Sequence, residues 1–299
     1  MHEALTVGQH LSPTLAAAAC RELAYVEFLR GRYLQTLSWL GRAMPFATGD
    51  DAEQARIQTV HGAVLSDTAH YAAAIAMLRD AVARGDGVGD TKQVAYALSM
   101  LGRALLLQGD LQAAADPLDR SIRLAQQCWT AFVPWPQSLR AEIDLTRGDV
   151  EAAAVRLEVA YALGCQLDDP CWEGIAGRGL GRVAIARGEP QGAAKILISC
   201  IERCVRLPDA YLWGKGYALD TLCGLAVVQA MPKALVWITE LHNLAARSGM
   251  RELTVRAYLH RAALGDSASG GAAWLLASQI DNPVLHAMIE IARGDCSGG

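Results

Sequence analysis

Apolar residues fall along this chain in long blocks at helical spacing, and short polar or glycine-bearing breaks divide one block from the next. In the first block Leu23, Tyr25, Val26, Phe28 and Leu29 mark a broad buried face. No stretch alternates apolar and polar residues in the manner of a strand, so the pattern predicts helices throughout. The breaks are periodic. Gly109, Gly148 and Gly188 each close one block, at intervals of 39 and 40 residues, and each precedes a small residue five positions on, Ala114, Ala153 and Ala193. Two apolar helical blocks per period of about forty is the mark of an α-solenoid. One helical hairpin of that size cannot bury its own apolar face. It must stack on its neighbours, and the stack leaves a curved, concave surface suited to binding rather than to chemistry.

The spacing predicts paired helices over 12–30 and 33–47, 52–66 and 71–84, 91–108 and 111–127, 136–147 and 150–163, 171–187 and 191–205, and 210–230 and 232–247. The repeats are accordingly 12–47, 52–84, 91–127, 136–163, 171–205 and 210–247. A less regular seventh pair over 251–264 and 272–280, with a last helix at 283–293, makes an atypical C-terminal cap over 251–293, the whole being one repeat domain over 1–299. The glycine-rich run 85–90 reads as a flexible loop between repeats, because Thr91 and Lys92 follow it in the wrong order for a phosphate loop and no strand precedes it. Residues 266–271 read as a loop as well. Pro208 breaks the chain, and Pro232 stands at a plausible first helical position. Between 128 and 136 two prolines and three aromatic residues crowd together, which predicts either an ordered connector or the wall of a pocket. Trp129, Phe132, Trp135 and Trp172 flank it, and they either line a cavity for a small apolar ligand or fill a gap between irregularly stacked hairpins.

Composition narrows the class. Hydrophobic residues make up 52% of the 299 and charged residues 19%, with only three phenylalanines, which excludes a disordered chain and a highly charged coiled coil. A net charge of −4 speaks against a nucleic-acid-binding surface over the whole molecule. Eight scattered cysteines, several inside apolar helices, read as buried small hydrophobes in a reducing compartment. Cys200 and Cys204 lie one helical turn apart, but no second pair at ligand spacing completes a metal site. The N-terminus lacks the basic and apolar segments of a secretory signal, residues 294–299 read as a frayed end, and no apolar run is long enough to span a membrane, so a cytoplasmic location is expected. Catalysis finds no support: there is no His-x-x-x-His pair and no nucleophile elbow. Gly177, Gly179 and Gly181 lie within a helical block, where close packing accounts for them. Asp50-Asp51 and Asp168-Asp169 sit at helix starts, which the helix dipole favours.

The third pair carries a family pattern. Leu98, Leu101, Gly102, Leu105, Ala114, Leu118 and Ser121 fall at intervals that resemble the tetratricopeptide signature, and Leu180, Gly181, Ala184, Ala193, Leu197 and Cys200 repeat it. The sixth pair is similar through Leu219, Leu222, Ala226 and Leu235, and the first through Leu23, Ala24, Leu40 and Ala43. The resemblance spans roughly residues 14 to 265 and implies an all-α fold, a right-handed α-solenoid of about six or seven antiparallel helix pairs. These repeats are near forty residues where the usual unit has about 34. In that length, and in alanine-rich hairpins such as 147–153, the chain resembles the C-terminal sensor region of maltose-activator-type, ATP-dependent LuxR-like bacterial regulators. Such regulators carry an ATPase module before this region and a DNA-reading helix-turn-helix after it. Neither motif occurs here, so the resemblance implies an excised domain or a stand-alone relative.

In a tetratricopeptide stack the first helix of each pair lines the groove. Carried over by position, this places Arg21, Tyr25, Arg56, Tyr96, Arg103, Trp135, Glu142, Arg178, Arg182, Tyr217 and Asp220 on the concave face. Arginine and aromatic side chains dominate binding hot spots, and Arg103, Arg178 and Arg182 are suited to a carboxylate. The alternative is that they are solvated faces or ion pairs between repeats. The expected role is a non-catalytic module that captures a protein segment or a small-molecule effector, as the sensor of a bacterial transcriptional regulator. The competing role is an assembly or self-association scaffold, including a homo-oligomer. No cofactor, metal, membrane or direct nucleic-acid contact is expected.

Overall fold

The computed structural model describes residues 12–206, 209 and 211–296, and among them every regular element is helical. Seven antiparallel hairpins follow one another: α1 (Pro13–Leu29) with α2 (Tyr33–Ala43), α3 (Asp51–Asp67) with α4 (Tyr71–Val88), and α5 (Thr91–Gln108) with α6 (Leu111–Cys128). Next come α7 (Pro134–Thr146) with α8 (Val150–Gln166), α9 (Pro170–Ala186) with α10 (Pro190–Arg203), α11 (Leu212–Val228) with α12 (Ala234–Ser248), and α13 (Arg251–Ala263) with α14 (Ser267–Ala277). A single helix, α15 (Pro283–Cys296), ends the series. Each odd-numbered helix packs on the next odd-numbered one, so these helices form the inner wall of a right-handed α-solenoid. No helix among the described residues is long and apolar enough to cross a membrane.

The period legible at three glycines runs through every hairpin. The turn from first to second helix holds a residue with positive φ in all seven: Gly31, Ala69, Gly109, Gly148, Gly188, Ala230 and Gly265. At Gly109 the left-handed conformation (φ 93°) lets its N–H reach the Leu106 carbonyl at 3.1 Å and the Asp110 N–H reach that of Leu105 at 3.0 Å, which ties off the last carbonyls of α5. Asp110 then caps α6 by accepting from the Ala113 N–H at 2.9 Å. Ala69 and Ala230 adopt the same geometry at a cost of about 1–2 kcal/mol each, since an L-side chain crowds the backbone there.

A second repeat fixes how closely the two helices of a hairpin approach. Leu78, Leu118, Leu157 and Leu197, spaced 40, 39 and 40 residues apart, are fully buried. A Cβ on Gly62 would stand 2.6 Å from Leu78 Cγ, on Gly102 2.5 Å from Leu118 Cγ, and on Gly181 2.8 Å from Leu197 Cγ. Leu78, Leu118 and Leu197 therefore pack directly on the bare backbone of their partner helix, while Leu157 packs on Ala141 in its own hairpin and against Gly179 of the next.

Several expected boundaries shift. The run 85–90 is not a loop: α4 continues to Val88 because Gly85 packs on Val94, where an added Cβ would meet Cγ2 at 2.9 Å, and only Gly89, at φ 71°, ends it. Residues 267–271 are helical too. Asp266 caps α14, accepting from Ser269 N–H at 3.3 Å and from its hydroxyl at 2.9 Å. Pro232 lies in the turn before α12 rather than in its first turn, and α7 starts two residues earlier than expected, at Pro134. The last helix continues through residues 294–296, read as frayed, to Cys296, and the expectations for Pro208, for residues 1–11 and for the last three residues fall outside the described residues.

The stack curves far enough for its ends to meet. Arg30 pairs with Asp209 at 2.5 Å, and Arg251 reaches His70 at 3.3 Å. Asn282, fully buried, caps α15 through the Leu285 N–H (3.1 Å) and donates to Glu252 (2.9 Å) and to the Leu107 carbonyl on α5 (3.1 Å). Val284 fills the space beside Gly109. The odd-numbered helices from α5 to α13, together with α15, thus close into a ring.

Opposite signs are expected for two glycine replacements. Gly102→Ala pushes a methyl into Leu118 and is expected to destabilise by about 1–3 kcal/mol. Gly41→Ala, on the exposed side of α2 with nothing within 4 Å, is expected to stabilise by about 0.5–1 kcal/mol. Ala230→Gly relieves the left-handed alanine and is expected to raise stability by about 0.5–1 kcal/mol. Urea-denaturation midpoints at unchanged slope check all three, and a common sign for the first two would refute the packing account.

Candidate functional site

The inner wall is divided by a buried polar knot. Arg103 on α5 and Asp67 at the end of α3 are both wholly inaccessible and pair at 2.7 Å. Arg103 also donates to the Ala63 carbonyl at 3.2 Å and to the Tyr211 hydroxyl. Tyr211 and Tyr33 in turn donate to Asp67, at 3.0 and 2.8 Å. Rings close around the guanidinium: Trp213 lies 5.3 Å from it, Tyr211 5.7 Å and Trp135 6.0 Å. Burial pulls the Arg103 guanidinium towards neutrality, but Asp67 and Tyr211 more than offset this and hold its pKa above the ordinary value. Tyr211 lies in the connector before α11, 144 residues from Asp67. The knot therefore fastens the late part of the chain across the early part, and a cavity lies on either side of it.

The first cavity, of about 420 Å³, is lined by Arg21, Glu22, Tyr25, Arg56, Asp90, Tyr96 and Trp129 among others. Its two arginines are already paired: Arg21 with Glu53 at 2.7 Å and Arg56 with Asp90 at 2.5 Å. Its aromatic wall is a run of ring contacts. Trp129 stacks on Phe132 at 4.3 Å, and Tyr96 meets both Phe132 and Tyr25 edge-on.

The second cavity, of about 460 Å³, sits inside the closed ring. Arg178, Arg182, Arg256 and His260 face it together with only two carboxylates, Glu142 and Asp220. Glu142 is shared: one oxygen takes Arg178 at 2.9 Å and the other takes Arg182. Arg178 is fixed further by the Tyr217 carbonyl (3.2 Å) and the Thr221 hydroxyl (3.3 Å) and lies over the Tyr217 ring at 5.5 Å. Burial pushes the Arg178 guanidinium down to about 10. Arg182 is lowered as well, by burial and then by the nearby charge of Arg256. Arg256 behaves oppositely. Burial pulls it down, but Glu252 at 2.7 Å and Asp220 at 3.4 Å outweigh this and hold it above its ordinary value. Arg178 and Arg182 thus have one directly paired carboxylate, Glu142, between them.

The expected groove residues fall into three places. Arg21, Tyr25, Arg56 and Tyr96 line the first cavity, and Glu142, Arg178, Arg182, Tyr217 and Asp220 line the second. Arg103 and Trp135 line neither and require correction. Arg103 is sealed in the knot, and Trp135 is buried beside it with its indole N–H on Ser99 at 3.1 Å, because the wall closes on itself at α5 and α7. The aromatic connector does both things expected of it: Trp129 lines a cavity while Phe132 and Trp135 fill the gap between hairpins. Sequence reasoning passed over Arg256 and His260, which sit at the same spacing as Asp220 one repeat later, 36 and 40 residues on. It passed over Asp67 and Tyr211 as well, which no local pattern marks. Cys200 and Cys204 pack on Gly177 and Gly174, and burial pushes both thiols up to about 12, so they remain protonated.

Residues 94–127, the third hairpin, match the tetratricopeptide repeat family model. No curated protein matches the chain. The structure is similar to that of a Rap protein complexed with Competence and Sporulation Factor, with a TM-score of 0.70 at 14% identity over 87% of this chain and 72% of that one. It is also similar to the apo form of RapI, with a TM-score of 0.50 at 11% identity over 92% of this chain and 86% of that one. The shared property at these identities is the fold: a tetratricopeptide-like helical repeat.

Two outcomes are expected from these polar clusters. Asp67→Leu strands a buried guanidinium and is expected to cost about 3–5 kcal/mol, whereas Asp67→Leu with Arg103→Met is expected to recover at least half of the loss. Chemical denaturation of the two variants decides, and a double variant no better than the single one would disprove the pairing. Asp220 gives a pH signature. Burial raises its carboxyl, but Arg256 and His260 prevail and bring it to about 2. The ionised form is favoured in the fold, so its contribution is complete above about pH 4 and fades as pH falls towards 2, by roughly 2–3 kcal/mol. The stability gap between the native protein and Asp220→Asn is therefore expected to narrow as pH drops from 5 to 2.5.

Proposed function

We propose that the chain is a binding module whose second cavity captures a ligand through an anionic group, either a protein segment or a small effector. One observation carries this reading: Arg178 and Arg182 share a single glutamate inside a cavity of small-molecule size. Two guanidiniums that share one carboxylate in a partly buried site favour a carboxylate or phosphate that supplies a second negative charge, and each such charge-assisted hydrogen bond is worth about 1.5–3 kcal/mol. The cavity holds no nucleophile poised by a base, which speaks for capture rather than turnover. The Rap structure, complexed with Competence and Sporulation Factor, is a case of this fold holding a partner and is in keeping with a capture role here. Within it, the resemblance of the hairpins to sensor regions of LuxR-like bacterial regulators favours a role in transcriptional control in the cytoplasm. The coding sequence flanking this chain tests that assignment by the presence or absence of an ATPase or helix-turn-helix segment.

Calorimetric titration with succinate and with inorganic phosphate, at constant ionic strength, tests the capture itself. Arg178→Gln with Arg182→Gln is expected to lower affinity at least tenfold, and Glu142→Gln, which removes the competing carboxylate, to raise it several-fold. Equal affinity across the three proteins would refute the site.

A further inference from the structure

The second cavity has two unlike sides. Around the ring, α9, α11 and α13 present Arg178, Arg182, Asp220, Thr221, Arg256 and His260. Across from them, where α15 closes on α5, the lining is Leu106, Leu107, Leu111, Val284 and Met288, with no charged group. The apolar side is a product of closure. Asn282 anchors α15 to the Leu107 carbonyl and Val284 sits against Gly109, so the last helix supplies half of a hydrophobic wall that no single hairpin forms. Trp213 lines the cavity from α11 with its indole N–H buried and without a hydrogen-bond partner.

Charge on one side and aliphatic surface on the other constrain the ligand more tightly than the arginines alone. A small, fully polar anion satisfies Arg178 and Arg182 but leaves the α5–α15 side against water. An apolar molecule without a charge fills that side and leaves the arginines as they are. We propose that the cavity takes an amphipathic monocarboxylate: a carboxylate seated on Arg178 and Arg182, joined to an aliphatic body that reaches the Leu106, Leu107, Val284 and Met288 side. The inference rests on the anion-capture reading and adds the apolar body to it. Each methylene brought out of water adds about 0.8 kcal/mol, close to a fourfold gain in affinity. A free medium-chain acid and the apolar C-terminal residue of a peptide share this chemistry.

The test is a ligand-observed NMR titration of the full chain with acetate, butanoate, hexanoate, octanoate, 1-octanol and N-acetyl-leucine. Affinity is expected to climb with chain length, so that octanoate binds at least thirtyfold more tightly than acetate and at least tenfold more tightly than 1-octanol. N-acetyl-leucine binding at least as tightly as hexanoate assigns the natural ligand to a peptide end, and weaker binding assigns it to a free acid. Met288→Gln is expected to weaken octanoate at least threefold and leave acetate unchanged, while Arg182→Gln weakens both. Equal affinity for acetate and octanoate overturns the amphipathic ligand and leaves anion capture standing. Binding of 1-octanol but of no carboxylate overturns both readings. The ligand series uses the unmodified protein, so the outcome does not depend on any variant folding.

Discussion

The buried pair of Asp67 and Arg103, roofed by Tyr211, is the constraint on which the shape of this molecule depends. A solenoid is ordinarily stabilised by each repeat and its nearest neighbours, and nothing in that sum fixes where a distant repeat comes to rest. Here a contact spanning 144 residues does so. A buried ion pair adds little stability over an apolar pair of equal shape, because desolvation consumes most of the attraction. What it adds is exclusivity. The Asp67 carboxylate accepts from Arg103, Tyr33 and Tyr211 together only when α2, α3, α5 and the connector before α11 are in one arrangement. Any other arrangement strands charge away from water, so the curved stack has one closed form rather than a range of pitches.

Closure changes what the concave face can do. An open trough offers a long strip of side chains to an extended partner. A knotted one offers two separate cavities of similar size and different character. In the first, Glu53 and Asp90 already neutralise Arg21 and Arg56, and three aromatic rings, Tyr25, Tyr96 and Trp129, line the wall beside them. In the second, one glutamate serves two arginines and Asp220 divides itself between Arg256 and His260. The contrast follows from the neighbours each helix meets. Arg21 on α1 meets Glu53 on α3, and Arg56 on α3 meets Asp90 just before α5, whereas α9 faces α7 and α11, where Glu142 and Asp220 supply the acid on the cavity wall.

The local rules of the fold were legible in the amino-acid sequence, and the global ones were not. Gly109, Gly148 and Gly188 announce the period because the left-handed turn favours glycine. The same turn at residues 69 and 230 is made by alanine, so two of the seven repeats were hidden to that signal and were recovered from apolar spacing instead. The loops read at 85–90 and 266–271 are largely helix for two different reasons: Gly85 admits Val94, and Asp266 caps the start of α14. Membership of the inner wall could be read from register, and it placed Arg178, Arg182, Glu142, Tyr217 and Asp220 together. The burial of Arg103 and Trp135 could not. It depends on a small rotation per repeat accumulated over four hairpins, and on a tyrosine in a connector, neither of which leaves a periodic trace.

The knot and the second cavity have two helices in common, α5 and α11. On α5, Arg103 lies one turn before Leu106 and Leu107, which line the cavity, and Leu107 also holds Asn282 at the foot of α15. On α11 and just before it, Tyr211, Trp213 and Tyr217 run from the knot into the cavity wall in continuous ring contact, at centroid separations of 6.0 and 4.4 Å. A ligand that spans from Arg178 and Arg182 to the side formed by α5 and α15 therefore touches both sides of the seam that the knot fastens. Its binding energy is available only in the closed ring, so occupancy and closure must favour one another to the same extent. A repeat protein with this construction has a direct physical route from an occupied cavity to its third hairpin and its last helix, because α5 and α15 meet where the ring shuts.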